Sequence, residues 1–213
     1  MGTTIRGIHH VTANTSSAPK IWDFFTNQLG LHLIKKTVNQ DDVHTYHLYF
    51  SDDQGEAGSI LTFFDFAGLQ KATFGTNEIS RTTFRVPTLA SFDYWRARFT
   101  QFGIRYDDQT VTLFGATYLN FYDFDGQRYA LIADETNPRQ NPVTKAHQPW
   151  QQATVAPEHA IVGLGPAFVT VDDDQAMTIV LTKIMTAQKI ATSGNNTLYE
   201  FDNGGYGAQV ITQ

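Results

Sequence analysis

Polar and apolar residues alternate over short runs, then switch to a spacing of three to four, and the switch recurs along the chain. The first β-prone run is Arg6-Gly7-Ile8-His9-His10-Val11-Thr12-Ala13. Ser16 or Ser17 can then cap a helix with Pro19 in its first turn, and Ile21, Phe24, Phe25 and Leu29 keep a helical period until Gly30 stops it. Three strand-like runs follow at 33–38, 44–50 and 59–66, separated by Asn/Asp/Gly-rich turn chemistry. The unit reads β-α-β-β-β.

The pattern then repeats. A strand over 81–86 is closed by Pro87, a helix carries Leu89, Phe92, Trp95, Phe99 and Phe102 on one side before Gly103, and strands follow at 109–114, 117–122 and 128–133. Pro138, Pro142, Pro149 and Pro157 mark an irregular linker, after which a strand (162–171), a helix (175–187) and strands at 189–192, 197–201 and 208–212 complete a third round. The predicted organisation is a first unit over 4–66, a second over 79–135, a linker over 136–158 and a third unit over 159–213, in an α+β fold with an internal repeat.

Composition narrows the function. With 213 residues, 41% hydrophobic and 17% charged, the chain can bury a sizeable core. Its net charge of -6 argues against nucleic acid or an anionic membrane as partner and leaves small molecules. The absence of cysteine rules out disulfides and thiolate chemistry and suits a reducing, cytoplasmic setting. No apolar run is long enough to cross a bilayer, and the start lacks an apolar signal core.

Histidines are the candidate chemistry. By strand parity His10 shares a face with Ile8 and Thr12 while His9 shares one with Val11, so one imidazole is offered to a concave interior. His44 and His47 lie three apart, so only one of them can join that interior, and Tyr46, His47 and Tyr49 are the candidate substrate contacts. His32 and His147 read as solvated, His159 as a linker residue, and Gly204-Gly205-Tyr206-Gly207 as a turn without a following helix. No Ser-His-Asp context appears.

Gly7-Ile8-His9-His10-Val11-Thr12, Asp23-Phe24-Phe25 and Leu29-Gly30-Leu31 resemble the vicinal oxygen chelate superfamily of glyoxalases, bleomycin-resistance proteins and extradiol dioxygenases. Leu33-Ile34-Lys35-Lys36-Thr37-Val38-Asn39, Tyr46-His47-Leu48-Tyr49-Phe50, Gly58-Ser59 and Asp134-Glu135-Thr136-Asn137 are similar to its hydroquinone-type ring-cleaving branch. The resemblance implies βαβββ units paired as half-barrels around a cavity holding Fe(II), or in some members Mn(II), on two histidines and a carboxylate. It places the first ligand at His10, with His9 and Thr12 beside it as catalytic candidates. The second histidine and the carboxylate belong, in that branch, to a fourth unit, and this sequence shows three. The expectation is therefore a dioxygenase acting on a hydroquinone- or catechol-like aromatic with dioxygen, its first unit closed in a homodimer or by a chain bearing the fourth unit. A metal-free binding or resistance protein and a glyoxalase-type lyase are the alternatives. On this reading the second and third units share a structural cavity, and the first leaves a concave face lined by aromatics such as Phe50 and Phe63.

Overall fold

The computed structural model describes residues 4–71, 73–139 and 145–213, so Pro142 of the linker lies outside the described residues. Two sheets carry the chain. The first contains β1 (His10–Thr15), β2 (His32–Val38), β3 (Tyr46–Ser51) and β4 (Ile60–Asp65) in the order β1-β4-β3-β2. Strands β1 and β4 run parallel and the other neighbours antiparallel.

The second sheet is eight-stranded. It is built from β5 (Glu78–Val86), β6 (Val111–Leu113), β7 (Ala116–Tyr122), β8 (Arg128–Ala133), β9 (Leu164–Thr170), β10 (Gln188–Ser193), β11 (Asn196–Glu200) and β12 (Gln209–Thr212). Their order is β10-β11-β12-β9-β5-β8-β7-β6, so each four-strand set repeats the order first, fourth, third, second. Antiparallel pairing of β5 with β9 fuses the two sets at the centre. The α+β class expected from the alternating periods is the one observed.

Helix α1 (Ala18–Trp22), continued by a π-helical turn over Asp23–Gln28, supplies the core between the sheets. The Phe25 ring centroid lies 5.2 Å from both Phe50 and Phe63 of the first sheet, 6.2 Å from Phe84 and 5.8 Å from Tyr129 of the second. Phe50 and Phe63 are thus fully buried on the helix side and do not line an open concave face, which corrects the sequence expectation. Alternation explains it: Leu48 and Phe50 face the helix, and His47 and Tyr49 take the other side. Helix α2 (Ser91–Phe102) adds buried Trp95 and Phe99 to the same core.

Polar contacts lock the first sheet's helix onto the second sheet. Asp125, from the β7–β8 turn, accepts from Thr15 Oγ1 at 2.8 Å, Ser16 N at 3.0 Å and Ser16 Oγ at 2.5 Å, just before α1 begins. At the other end the buried Arg98 donates to Asn27 O at 2.8 Å and Gln28 O at 2.6 Å, placing a cation where helix carbonyls lack partners. Gly30 turns the chain there at φ 78°, and a Cβ would sit 2.7 Å from Val155 Cγ2, so side-chain bulk is excluded by both backbone and contact.

The linker is irregular but docked. His147, read as solvated, is 5% exposed, and His32 stacks on Trp150 with parallel rings 5.1 Å apart. His159 sits 3.1 Å (Nδ1) from Ser91 Oγ and stacks on Tyr94. Sequence reading missed these contacts because a Pro/Gln-rich stretch carries no periodicity to reveal what it packs against.

One buried acid gives a pH-dependent stability. Burial pushes Asp123 up from an ordinary 3.8 to about 6, against the opposing hydrogen bonds from Gln127 N and Tyr129 Oη. A folded-state value above the unfolded one contributes stability that is complete below 3.8 and is lost as pH rises through about 6. The Asp123→Asn variant is therefore expected to gain stability relative to wild type on going from pH 5 to pH 7.5, by about 1.4 kcal/mol, the part of the linkage that falls between pH 5 and about 6. Parallel urea titrations at the two pH values measure this, and an equal difference between the two proteins at both would contradict it.

Candidate active-site face on the first sheet

The outer face of the first sheet collects most of the residues singled out in the sequence. Strand β1 begins at His10, because Ile8 leaves the sheet and donates its N–H to Gly207 O at 2.8 Å. His9 therefore precedes the regular alternation, and parity does not send it to the opposite side. Both histidines are exposed, with Nδ1 atoms 3.1 Å apart and rings edge-on at 5.2 Å. His9 lies beside His10 rather than behind it.

From β1 the face continues through Thr12, whose Oγ1 accepts from Thr62 Oγ1 at 2.9 Å. Phe64 follows on β4, its ring 4.0 Å from His47, which in turn lies 4.2 Å from the ring of Tyr49. Tyr49 Oη is 3.0 Å from His47 Nδ1, and the Lys35 ammonium stands 5.1 Å from the Tyr49 ring centre. Tyr46 does not join them: it is one residue out of phase, 43% exposed, with the Lys36 ammonium over its ring. Phe64, Thr62 and Lys35 were not singled out from the sequence. Period-two alternation within 60–65 was the signal that could have found the first two.

The surroundings of His10 and His47 favour the neutral imidazole. Burial lowers the pKa of His10, with His9 adding to the effect; burial also lowers that of His47, helped by Lys35 and His10. His47 Nε2 is buried without a hydrogen-bond partner. A neutral nitrogen on this face can ligate a cation or accept a proton. The carboxylate expected in a two-histidine, one-carboxylate set is not on this sheet: Asp65 is the only acid on its four strands and follows Phe64, so it points to the other side. The face fits one part of a metal's coordination, through His10.

Residues 7–131 match a family model, and the chain belongs to the Glyoxalase/Bleomycin resistance protein/Dioxygenase superfamily. Within it, the chain is 35% identical over 207 residues to MhqA of Bacillus subtilis (strain 168), provisionally named a ring-cleaving dioxygenase, covering 96% of this chain and 63% of that protein. It is 27% identical over 207 residues to a chlorohydroquinone/hydroquinone 1,2-dioxygenase of Sphingobium indicum, covering 94% of this chain and 61% of that protein. A crystal structure from Bacillus subtilis subsp. subtilis str. 168, provisionally described as a dioxygenase, superposes with a TM-score of 0.86 at 29% identity over 100% of this chain and 64% of the other. The chain thus spans about three fifths of the length of these relatives. Among the described residues no helix is long and apolar enough to cross a membrane.

Proposed function

We propose that this chain carries the His10 side of a metal-dependent ring-cleaving dioxygenase acting on a hydroquinone- or catechol-like aromatic. One observation carries the reading: the first sheet holds two imidazoles, His10 and His47, on a single face beside a wall of aromatic rings, both with pKa lowered by partial desolvation. The relatives named for ring cleavage support the reaction class. His10 would hold Fe(II) or Mn(II), which when bound supplies the Lewis acidity and redox partner for substrate oxygens and dioxygen.

The chain's own residues then have separable tasks. His9, at 3.1 Å, fixes the orientation of the His10 ring. Phe64, His47 and Tyr49 form a surface against which a flat ring stacks. His47, held neutral, accepts a proton from a phenolic hydroxyl, and Tyr49 Oη holds its Nδ1 in register. The ammonium of Lys35 near Tyr49 favours the resulting phenolate. Because the His10 face is exposed, its closure falls to a second copy or to a chain with a complementary unit.

Oxygen uptake tests the reading. With Fe(II) and hydroquinone, the chain completed by a unit that supplies the remaining ligands is expected to consume oxygen and yield a ring-opened acid by mass spectrometry, and the chain with His10 as its one ligand to show little uptake. Protein that binds hydroquinone but consumes no oxygen with Fe(II) or Mn(II) would return the chain to the binding-module alternative.

A further inference from the structure

The β3–β4 loop is built around Asp52. One of its oxygens, Oδ1, accepts the N–H groups of Gln54 at 3.2 Å, Gly55 at 2.7 Å and Glu56 at 3.1 Å. The other, Oδ2, is buried with no hydrogen-bond donor. Across from it stands His147 of the linker, its N–H anchored on Val162 O at 2.9 Å and its ring Nδ1 2.8 Å from Glu56 Oε2 and 3.4 Å from Asp52 Oδ2. The side chains of Asp52 and His147 are each 2% exposed, while that of Glu56 is 45% exposed and opens the cluster to solvent.

A single proton on Nδ1 cannot satisfy both acids. At 2.8 Å it belongs to Glu56, and Asp52 Oδ2 is left as a buried carboxylate oxygen without a hydrogen-bond donor, an arrangement that is costly unless a cation compensates it. The three donor atoms lie within 4.8 Å of one another. A tetrahedral ion with bonds of about 2.0–2.2 Å sets neighbouring donors about 3.4 Å apart, which the Nδ1 to Oδ2 separation already meets and the exposed Glu56 can reach by a small rotation. One imidazole and two carboxylates suit zinc-like divalent ions better than calcium or magnesium. His147 Nε2 lies against Gly58 without a partner, and it lacks one whichever ring nitrogen is protonated, so it does not discriminate between a proton and a metal.

We propose that Asp52, Glu56 and His147 form a second divalent-cation site, separate from the His10 face, that fastens the linker to the β3–β4 loop. Its mechanical reach is short. Gly58, two residues beyond Glu56, donates to His9 O at 2.8 Å and accepts from Leu164 N at 2.7 Å, so the clamped loop also holds the backbone entering the His-His strand. The inference stands on these three residues alone and does not need the dioxygenase reading.

The test uses Zn2+ and the full chain stripped with chelator, in a His9→Ala, His10→Ala background that removes the exposed His-His pair. Calorimetric titration at neutral pH is expected to show one Zn2+ per chain, weakened at least tenfold by Glu56→Gln and by Asp52→Asn, which keeps Oδ1 for the loop. Zn2+ should also raise the melting temperature of the background protein and not that of its Glu56→Gln derivative. Since Glu56 is half exposed, its replacement does not endanger folding. An absence of Zn2+ binding in the background protein, or equal affinity with and without Glu56, would overturn the proposal and leave His147 as a hydrogen-bonding partner of Glu56.

Discussion

On the proposed reading, replacing His10 by alanine is expected to weaken binding of the divalent metal by about 100-fold or more, because loss of a direct ligand exceeds the 10–100-fold cost of disturbing an outer-shell partner. His9→Ala, which loses only the 3.1 Å neighbour contact, should fall near the lower end of that range. Folding should survive both changes, since both side chains are exposed and contribute nothing to the Phe25-centred core. Metal content after gel filtration, read with thermal melting of the same samples, separates the two effects. The pH response has a definite sign. Burial lowers the His10 pKa, so protons compete with metal only below the range of an ordinary histidine near 6.5, and retention should hold through mildly acidic pH. On the stability side, a depressed folded value means a contribution present above the unfolded pKa and lost as pH falls through the folded one. A His10→Ala protein that kept wild-type iron would remove His10 from the site.

Much of this architecture was legible because it repeats. The β-α-β-β-β pattern over residues 4–66 could be read from Ile21, Phe24 and Phe25 at helical spacing and from turn residues between alternating runs, and the first sheet has those elements. His47 and Tyr49 reached the His10 face by simple parity. Parity failed at His9 because it assumed a strand starting at Arg6, whereas a long-range hydrogen bond from Ile8 to Gly207 pulls that segment off the sheet. The Phe50 and Phe63 assignment failed for a related reason: both faces of this sheet carry aromatics, and composition alone does not say which side the helix covers. The Asp52, Glu56 and His147 cluster was beyond reach, since His147 lies 91 residues after Glu56 and no local pattern joins it to the β3–β4 loop.

The largest stability effect is expected at Arg85, a residue that only looked like part of a strand. Its side chain is 1% exposed and binds four acceptors on three segments: Nε to Leu164 O at 2.9 Å, Nη1 to Asp134 Oδ1 at 3.0 Å, and Nη2 to Lys145 O at 2.9 Å and Val162 O at 3.4 Å. Its backbone completes the seam, donating to Gly163 O at 2.8 Å and accepting from Val162 N at 2.9 Å. Gly163 is required there, because a Cβ would come within 2.6 Å of Arg85 Nη2 and 2.8 Å of His147 Cδ2 at a φ of 138°. Burial lowers the Arg85 pKa while Asp134 opposes the shift, so the guanidinium remains charged; its removal would leave Asp134 Oδ1 with only the Asn137 amide at 3.1 Å and take a donor from the carbonyls of Leu164 and Lys145, while Val162 O keeps His147 N at 2.9 Å. Arg85→Met is therefore expected to destabilise the fold by about 3–5 kcal/mol, the range for breaking one side of a buried pair. Arg85→Lys should recover only part of that, since an ammonium lacks the planar fork that reaches opposite segments at once. Asp134→Asn, at 15% side-chain exposure and able to accept the same hydrogen bond, should cost far less. In urea titrations the three variants should shift the midpoint in that order with unchanged slope. An Arg85→Met protein within about 1 kcal/mol of wild type would mean that the linker, β5 and β9 are held together by their backbone bonds and apolar contacts alone.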